Sequence, residues 1–180
     1  PLHNVDYFTG LAKEIENHGA DSLAIKDMAG LLTPKSTKDL VTSIAKEISL
    51  PIHVHSHATS GLATANLFTA VECGATMIDT CNSSFSEGAS HPTTESVIAG
   101  LHELGYETGI ELDKIENITS YLKDVRKKYW QFESEFTGLD PRVLINQVPG
   151  GMISNLSSQL KDQGALDKMN EVLAEIPNVR

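Results

Sequence analysis

The sequence predicts an α/β fold built on a parallel sheet, and two observations carry the prediction. Short apolar stretches alternate three times with stretches of helical period. The polar residues of the apolar stretches gather at their C-terminal ends: Lys26 and Asp27, His55 and His57, Asp79 and Thr80. In parallel α/β folds that is the side of the sheet where function sits.

Residues 4–18 read as a helix, with Asn4 as N-cap and Val5, Phe8, Leu11, Ala12 and Ile15 at helical spacing. Gly19 ends it. Ser22-Leu23-Ala24-Ile25-Lys26-Asp27 is a short strand, charged only at its end. Gly30 and Pro34 mark a loop, after which Ser36 or Thr37 can cap a second helix that places Leu40, Val41, Ile44 and Ile48 on one face. Residues 51–57 form the second strand. Gly61 opens a helix of small and apolar residues that stops near Gly74, and Ala75 to Thr80 is the third strand. A polar loop over 82–91 leads to a helix over 92–103 with Pro92 near its first turn. Parallel strands joined this way take right-handed crossovers.

The rhythm breaks at 106–110, so an organisational boundary is expected near 106–111, dividing residues 1–108 from 109–180. From Leu112 the pattern is helical, through Ile115, Ile118, Leu122, Val125 and Tyr129. Phe132 to Pro141 reads as irregular. Gln147 to Gly151 reads as a tight loop before a helix from about Ser154, and a last helix is expected over 165–175.

The net charge of the 180 residues is −10, from 24 acidic and 14 basic side chains, which argues against non-specific binding to nucleic acid or anionic membrane. Lys123 to Lys128 contains Asp124 and reads as a solvated helix face. No apolar run approaches a membrane span and no signal-peptide pattern is visible. Cys73 and Cys81 form neither a CxxC nor a disulfide framework, which fits a reducing cytoplasm. The chain opens at Pro1 in sequence that reads as the middle of a fold, so a piece of a longer protein is expected.

The second strand concentrates the chemistry. It holds three of the seven histidines, His53, His55 and His57, spaced two apart and therefore on one face, while Ile52 and Val54 face the other way. One such histidine reads as a hydrogen-bonded strand-end residue; three in register point to a metal. Lys26 has three readings. It can snorkel or pair with Asp27, serve as an amine of depressed pKa, or carry carbon dioxide as an anionic carbamate able to ligate a metal beside His55 and His57.

Three separated stretches carry a resemblance: Ile25-Lys26-Asp27-Met28-Ala29-Gly30-Leu31-Leu32-Thr33-Pro34, His55-Ser56-His57-Ala58-Thr59-Ser60-Gly61, and Pro149-Gly150-Gly151-Met152-Ile153-Ser154-Asn155-Leu156. They resemble the carboxyltransferase domain of biotin-dependent enzymes, the group of the oxaloacetate decarboxylase α subunit and the carboxyltransferase-bearing subunit of two-subunit pyruvate carboxylases. His91-Pro92-Thr93-Thr94-Glu95-Ser96 and the stretch from Glu171 to Pro177 share it.

The resemblance implies the C-terminal part, strands six to eight, of a TIM (β/α)8 barrel followed by a helical extension. It implies transfer of a carboxyl group between oxaloacetate or pyruvate and biotin on a carrier domain. It also implies a divalent metal, zinc with cobalt or manganese as alternatives, held by an aspartate upstream of this chain, by carboxylated Lys26, and by His55 and His57. His53 then supports the ligands, and Ser154 stands where the family has a threonine that relays a proton to and from biotin. Lys26 and Ser154 are the implied catalytic residues, Ser154 the one facing biotin. An oligomer with partner subunits is implied, with membrane subunits if the enzyme is a sodium pump. The segment alone is expected to be inactive, because the aspartate ligand and the keto-acid-binding arginines lie upstream. Two other readings compete: a metal-dependent aldolase or acyl-condensing barrel with an HxH site, and a non-catalytic assembly module.

Overall fold

The computed structural model describes residues 3–133 and 138–179. Three strands, β1 (Leu23–Asp27), β2 (Ile52–Ser56) and β3 (Met77–Ile78), form one parallel sheet in the order β1-β2-β3. Helix α1 (Val5–Asn17) precedes β1, and α2 (Pro34–Glu47), α3 (Ala63–Glu72) and α4 (Thr94–Glu103) follow the three strands in turn. The α/β class and the alternation predicted from the sequence are those of the structure.

Strand alternation separates two faces. Leu23, Ile52 and Val54 point into a core with Ala12, Val41, Ile44, Leu67, Ala70, Val97 and Leu101, and Ile25 and Ile78 pack against it. Each fully buried Val, Leu or Ile among them is worth about 1.5–3 kcal/mol. The opposite face carries Ala24, Lys26, His53, His55 and Met77, none of them buried. In register, Lys26 lies opposite His55 and His53 opposite Met77, so these residues share that open face.

Local chemistry sets the boundaries. Asn4 caps α1 by accepting from the Tyr7 N–H at 3.0 Å, as its position predicts. The cap of α2 is Thr33 rather than Ser36 or Thr37; Ser36 is its reciprocal partner in a capping box, because Pro34 takes the first helical position. β3 is shorter than the predicted stretch, although flanking residues continue its ladder: Thr76 N–H donates to the Ile52 carbonyl and Asp79 N–H to that of Val54. The helix expected from 92 begins at Thr94.

The remainder is helical: α5 (Leu112–Lys128), α6 (Val143–Asn146), α7 (Gly150–Asp162) and α8 (Met169–Val179), with 3₁₀ turns at Trp130–Phe132 and Leu166–Lys168. The stretch read as irregular, Phe132 to Pro141, lies partly outside the described residues. α7 starts four residues before the predicted Ser154, with Gly150 already buried in its first turn. Val148, Ile153, Met169 and Leu173 form a second apolar cluster, packed by Leu156, Leu160 and Ile176.

Polar contacts tie this part to the sheet layer. Glu95 on α4 accepts from Thr119 on α5 at 2.8 Å and from the Ser83 hydroxyl at 2.7 Å. Arg126 donates to the Ser84 carbonyl at 2.6 Å, and Asp140 N–H to that of Thr59 at 2.7 Å. No helix among the described residues is long and apolar enough to cross a membrane.

Candidate metal site

The site is built at the C-terminal end of β2, where the strand's alternation brings His53 and His55 to the open face. Asp79, just past β3, lies between them: its carboxylate meets His53 Nε2 at 2.8 Å and His55 Nδ1 at 2.6 Å. Burial pushes the Asp79 carboxyl up, but the hydrogen bonds and charge of His55 and His53 outweigh it and hold it below the usual carboxylate range.

His57 follows the strand. Its backbone N–H donates to the Asp27 carbonyl at 3.1 Å, and its Nδ1 donates to the Ala89 carbonyl at 2.7 Å. His91 arrives from the loop before α4 and donates from Nδ1 to the Ser56 carbonyl at 3.0 Å. The rings of His55, His57 and His91 stand 4.4–5.2 Å apart, centroid to centroid. Each Nδ1 is occupied by a hydrogen bond, which leaves Nε2 as the ring atom each histidine can offer to a ligand.

One nitrogen from each of these histidines lies within 4.8 Å of the others, an arrangement that could hold a metal ion. His55 Nε2 is buried and has no hydrogen-bond partner among the described residues. An orphaned buried nitrogen is costly unless something meets it. Neutral imidazoles with the remaining ring nitrogen pinned suit zinc, cobalt and similar divalent ions. Burial, together with the charges of His91 and His55, holds His57 below the ordinary imidazole value against the pull of the Ala89 carbonyl and Asp27. That shift favours the neutral form, the one a ligand needs.

The loop after β1 braces this cluster. Asp27 does not pair with Lys26; its carboxylate accepts from the N–H groups of Leu31 and Leu32 and from the Ser56 hydroxyl, at 2.8, 3.0 and 2.9 Å. Gly30, with φ +68°, comes so close to the His57 carbonyl that a Cβ would stand 2.5 Å from its oxygen. Only glycine fits there.

The sequence-predicted residues fall as follows. His55 and His57 come together. Lys26 shares their face one strand away, with its side chain exposed. His53 reaches Asp79 rather than the cluster. Ser154 is half-buried on α7 and donates to the Gly150 carbonyl at 3.1 Å. Gly150 in turn lies against Thr59 and Ala89, on the two loops that carry the histidines. Two contributors escaped the sequence reading of the site. His91 is 34 positions beyond His57, outside any strand pattern, and its signal was the His91-Pro92-Thr93 stretch of the resemblance. Asp79 was visible as a strand-end carboxylate, but nothing in sequence paired it with histidines.

The fold and this cluster define a parallel α/β protein with a histidine site at its strand ends. Comparison with known proteins is specific. Residues 3–122 match the HMGL-like family and residues 143–180 the conserved carboxylase domain. The chain belongs to the HMGL-like family, joined to a conserved carboxylase domain. It is similar to a pyruvate carboxylase subunit of Methanocaldococcus jannaschii, 51% identical over 100% of this chain and 32% of that protein. It is also similar to the methylmalonyl-CoA carboxyltransferase 5S subunit of Propionibacterium freudenreichii, 42% identical over 100% of this chain and 36% of that protein. The solved carboxyl transferase domain of Rhizobium etli pyruvate carboxylase with pyruvate and biocytin superposes with a TM-score of 0.91 at 35% identity, covering 96% of this chain and 29% of that one. The chain thus spans roughly a third of the length of the relatives it matches.

Proposed function

We propose that this chain is part of a biotin-dependent carboxyltransferase that moves a carboxyl group between oxaloacetate or pyruvate and carrier-bound biotin at a divalent metal site. The observation that carries this reading is the convergence of His55, His57 and His91 around the unpartnered His55 Nε2, in a chain similar to carboxylase and carboxyltransferase subunits. The match of residues 143–180 to the conserved carboxylase domain favours it over an aldolase or acyl-condensing barrel.

The open sheet face and the chain's match to only about a third of its relatives' length support reading residues 1–108 as strands six to eight of a (β/α)8 barrel, and 109–180 as the helical extension. His55 and His57 would hold the ion, zinc being the first choice for imidazole nitrogens. Lys26, opposite His55, would complete the ligands as a carbamate with an aspartate from elsewhere in the protein. When bound, a divalent ion supplies a Lewis acid beside the keto acid's oxygens. Ser154 Oγ would carry the proton that the exchange of a carboxyl group on biotin requires. Gly150, packed on Thr59 and Ala89, holds that hydroxyl's helix against the histidine loops. Carrier and partner subunits, and a cytoplasmic location, belong to the same proposal.

The test is oxaloacetate decarboxylation by the full-length protein, with and without biotin and divalent metal. Turnover that needs both is expected. Turnover independent of biotin would overturn the proposal.

A further inference from the structure

The three clustered histidines do not fix their ring protons in the same way. A carboxylate only accepts hydrogen bonds. Ionised Asp79 therefore requires an N–H from His53 Nε2 and another from His55 Nδ1. A neutral imidazole has one N–H, so a proton on His55 Nδ1 leaves the lone pair on Nε2, the buried atom without a hydrogen-bond partner. His57 and His91 reach the same tautomer through backbone carbonyls, of Ala89 and Ser56. Only at His55 does the tautomer depend on a side chain. Asp79 is itself held in place, its N–H in the sheet ladder with the Val54 carbonyl and its second oxygen on His53.

We propose that Asp79 is the positioning residue of this site, fixing His55 as the Nδ1–H tautomer so that Nε2 is the coordinating atom, with His53 anchoring the carboxylate from the other side. The consequence for an ion rests on the metal reading given above; the tautomer assignment stands apart from it. Losing such an outer partner weakens metal affinity about 10–100-fold.

Two measurements on the full-length protein test this. The first is the long-range proton–nitrogen spectrum of the histidine rings in the metal-free protein at about pH 8, above the ordinary imidazole range, with His55 assigned from a His55→Gln variant. Wild type is expected to show His55 protonated on Nδ1. Asp79→Ala is expected to move that proton to Nε2 or to average the two. Asp79→Asn replaces one acceptor oxygen by an NH2, so the His55 proton is expected to follow the amide: on Nδ1 where the oxygen meets His55, on Nε2 where the NH2 does. The Asn variant preserves shape and guards against simple loss of folding.

The second measurement is titration with cobalt(II), read by its absorption. Asp79→Ala is expected to bind about 10–100-fold more weakly than wild type, with Asp79→Asn in between. An unchanged Nδ1–H in Asp79→Ala overturns the proposal. So does unchanged cobalt affinity in that variant while His55→Ala abolishes binding. If wild type binds no cobalt, the metal reading fails and the ring spectrum alone decides the role of Asp79.

Discussion

Gly150 sits directly on Thr59: a Cβ at position 150 would lie 2.8 Å from the Thr59 Oγ1 and 3.1 Å from the Ala89 Cβ. Thr59 is buried and donates to the Gly88 carbonyl at 3.1 Å, so it has little room to yield. Gly150→Ala is expected to cost about 1–3 kcal/mol, as overpacking does, and to loosen α7 from the histidine loops. Gly151→Ala meets open space and is expected to be neutral or mildly stabilising. Thermal unfolding of the two variants checks the contrast, and equal losses would refute it.

Glu95 gives a pH dependence. Burial pushes its carboxyl up, while hydrogen bonds from Ser83, its own backbone N–H and Thr119 outweigh this and lower it from 4.5. A depressed folded pKa contributes stability that is present above the unfolded value and lost as pH falls from there through the folded one. Wild type is therefore expected to exceed Glu95→Gln by about 1–2 kcal/mol near neutrality, a partly exposed group being discounted. The gap is expected to close as pH drops below about 4.5. Denaturant unfolding at a series of pH values reads it, and a gap that does not narrow would count against the network.

If His55 and His57 hold a divalent ion, zinc at about a hundred times its dissociation constant stabilises the fold by about 2.7 kcal/mol. At about 2–4 °C per kcal/mol for a chain of this size, the melting temperature is expected to rise by roughly 5–10 °C. His55→Ala and His57→Ala are each expected to remove the rise. A shift that persists in both places the ion elsewhere.

For Lys26, the carbamate reading separates charge from ligation. Lys26→Arg keeps a cation and cannot form a carbamate, so it is expected to abolish turnover as fully as Lys26→Ala. Carbon-13 NMR with labelled bicarbonate is expected to show a carbamate carbon on wild type alone. An active Arg variant would exclude this role.

Ser154 offers a hydroxyl without the methyl that narrows the rotamers of threonine. Ser154→Thr is expected to retain turnover, and Ser154→Ala to lose about 10²–10⁴-fold of it, the range of general acid–base contributions. Circular dichroism checks that the helix of the variant is intact. Near-normal turnover of the Ala variant would leave Ser154 a purely local hydrogen-bond donor to Gly150.

Much of the fold was legible because periodicity is local. Ile52 and Val54 on β2, and Val41 and Ile44 on α2, face the core that their spacing predicts. His55 and His57 were legible for the same reason, two residues apart at the end of one strand. What escaped depends on packing at a distance. Gly150 and Gly151 read as a loop by propensity, yet α7 begins at Gly150, where a Cβ would crowd Thr59 and Ala89. His91 reaches the cluster only through the fold of the 82–91 loop, and Asp79 only because β3 runs beside β2. Thr33 was hidden by Pro34, whose place at the first helical position moves the cap one residue back.

The end of β2 and the loop before α4 are laced together three times: Ala58 N–H to the Ser90 carbonyl, His57 to that of Ala89, and His91 to that of Ser56. None of these bonds involves an ion. Metal binding here would differ in kind from that of small zinc domains, where the ion and the fold arrive together. A chelator would empty such a socket without unravelling it. Exchange of one divalent ion for another would proceed at the pace of ligand substitution, with no refolding step in between.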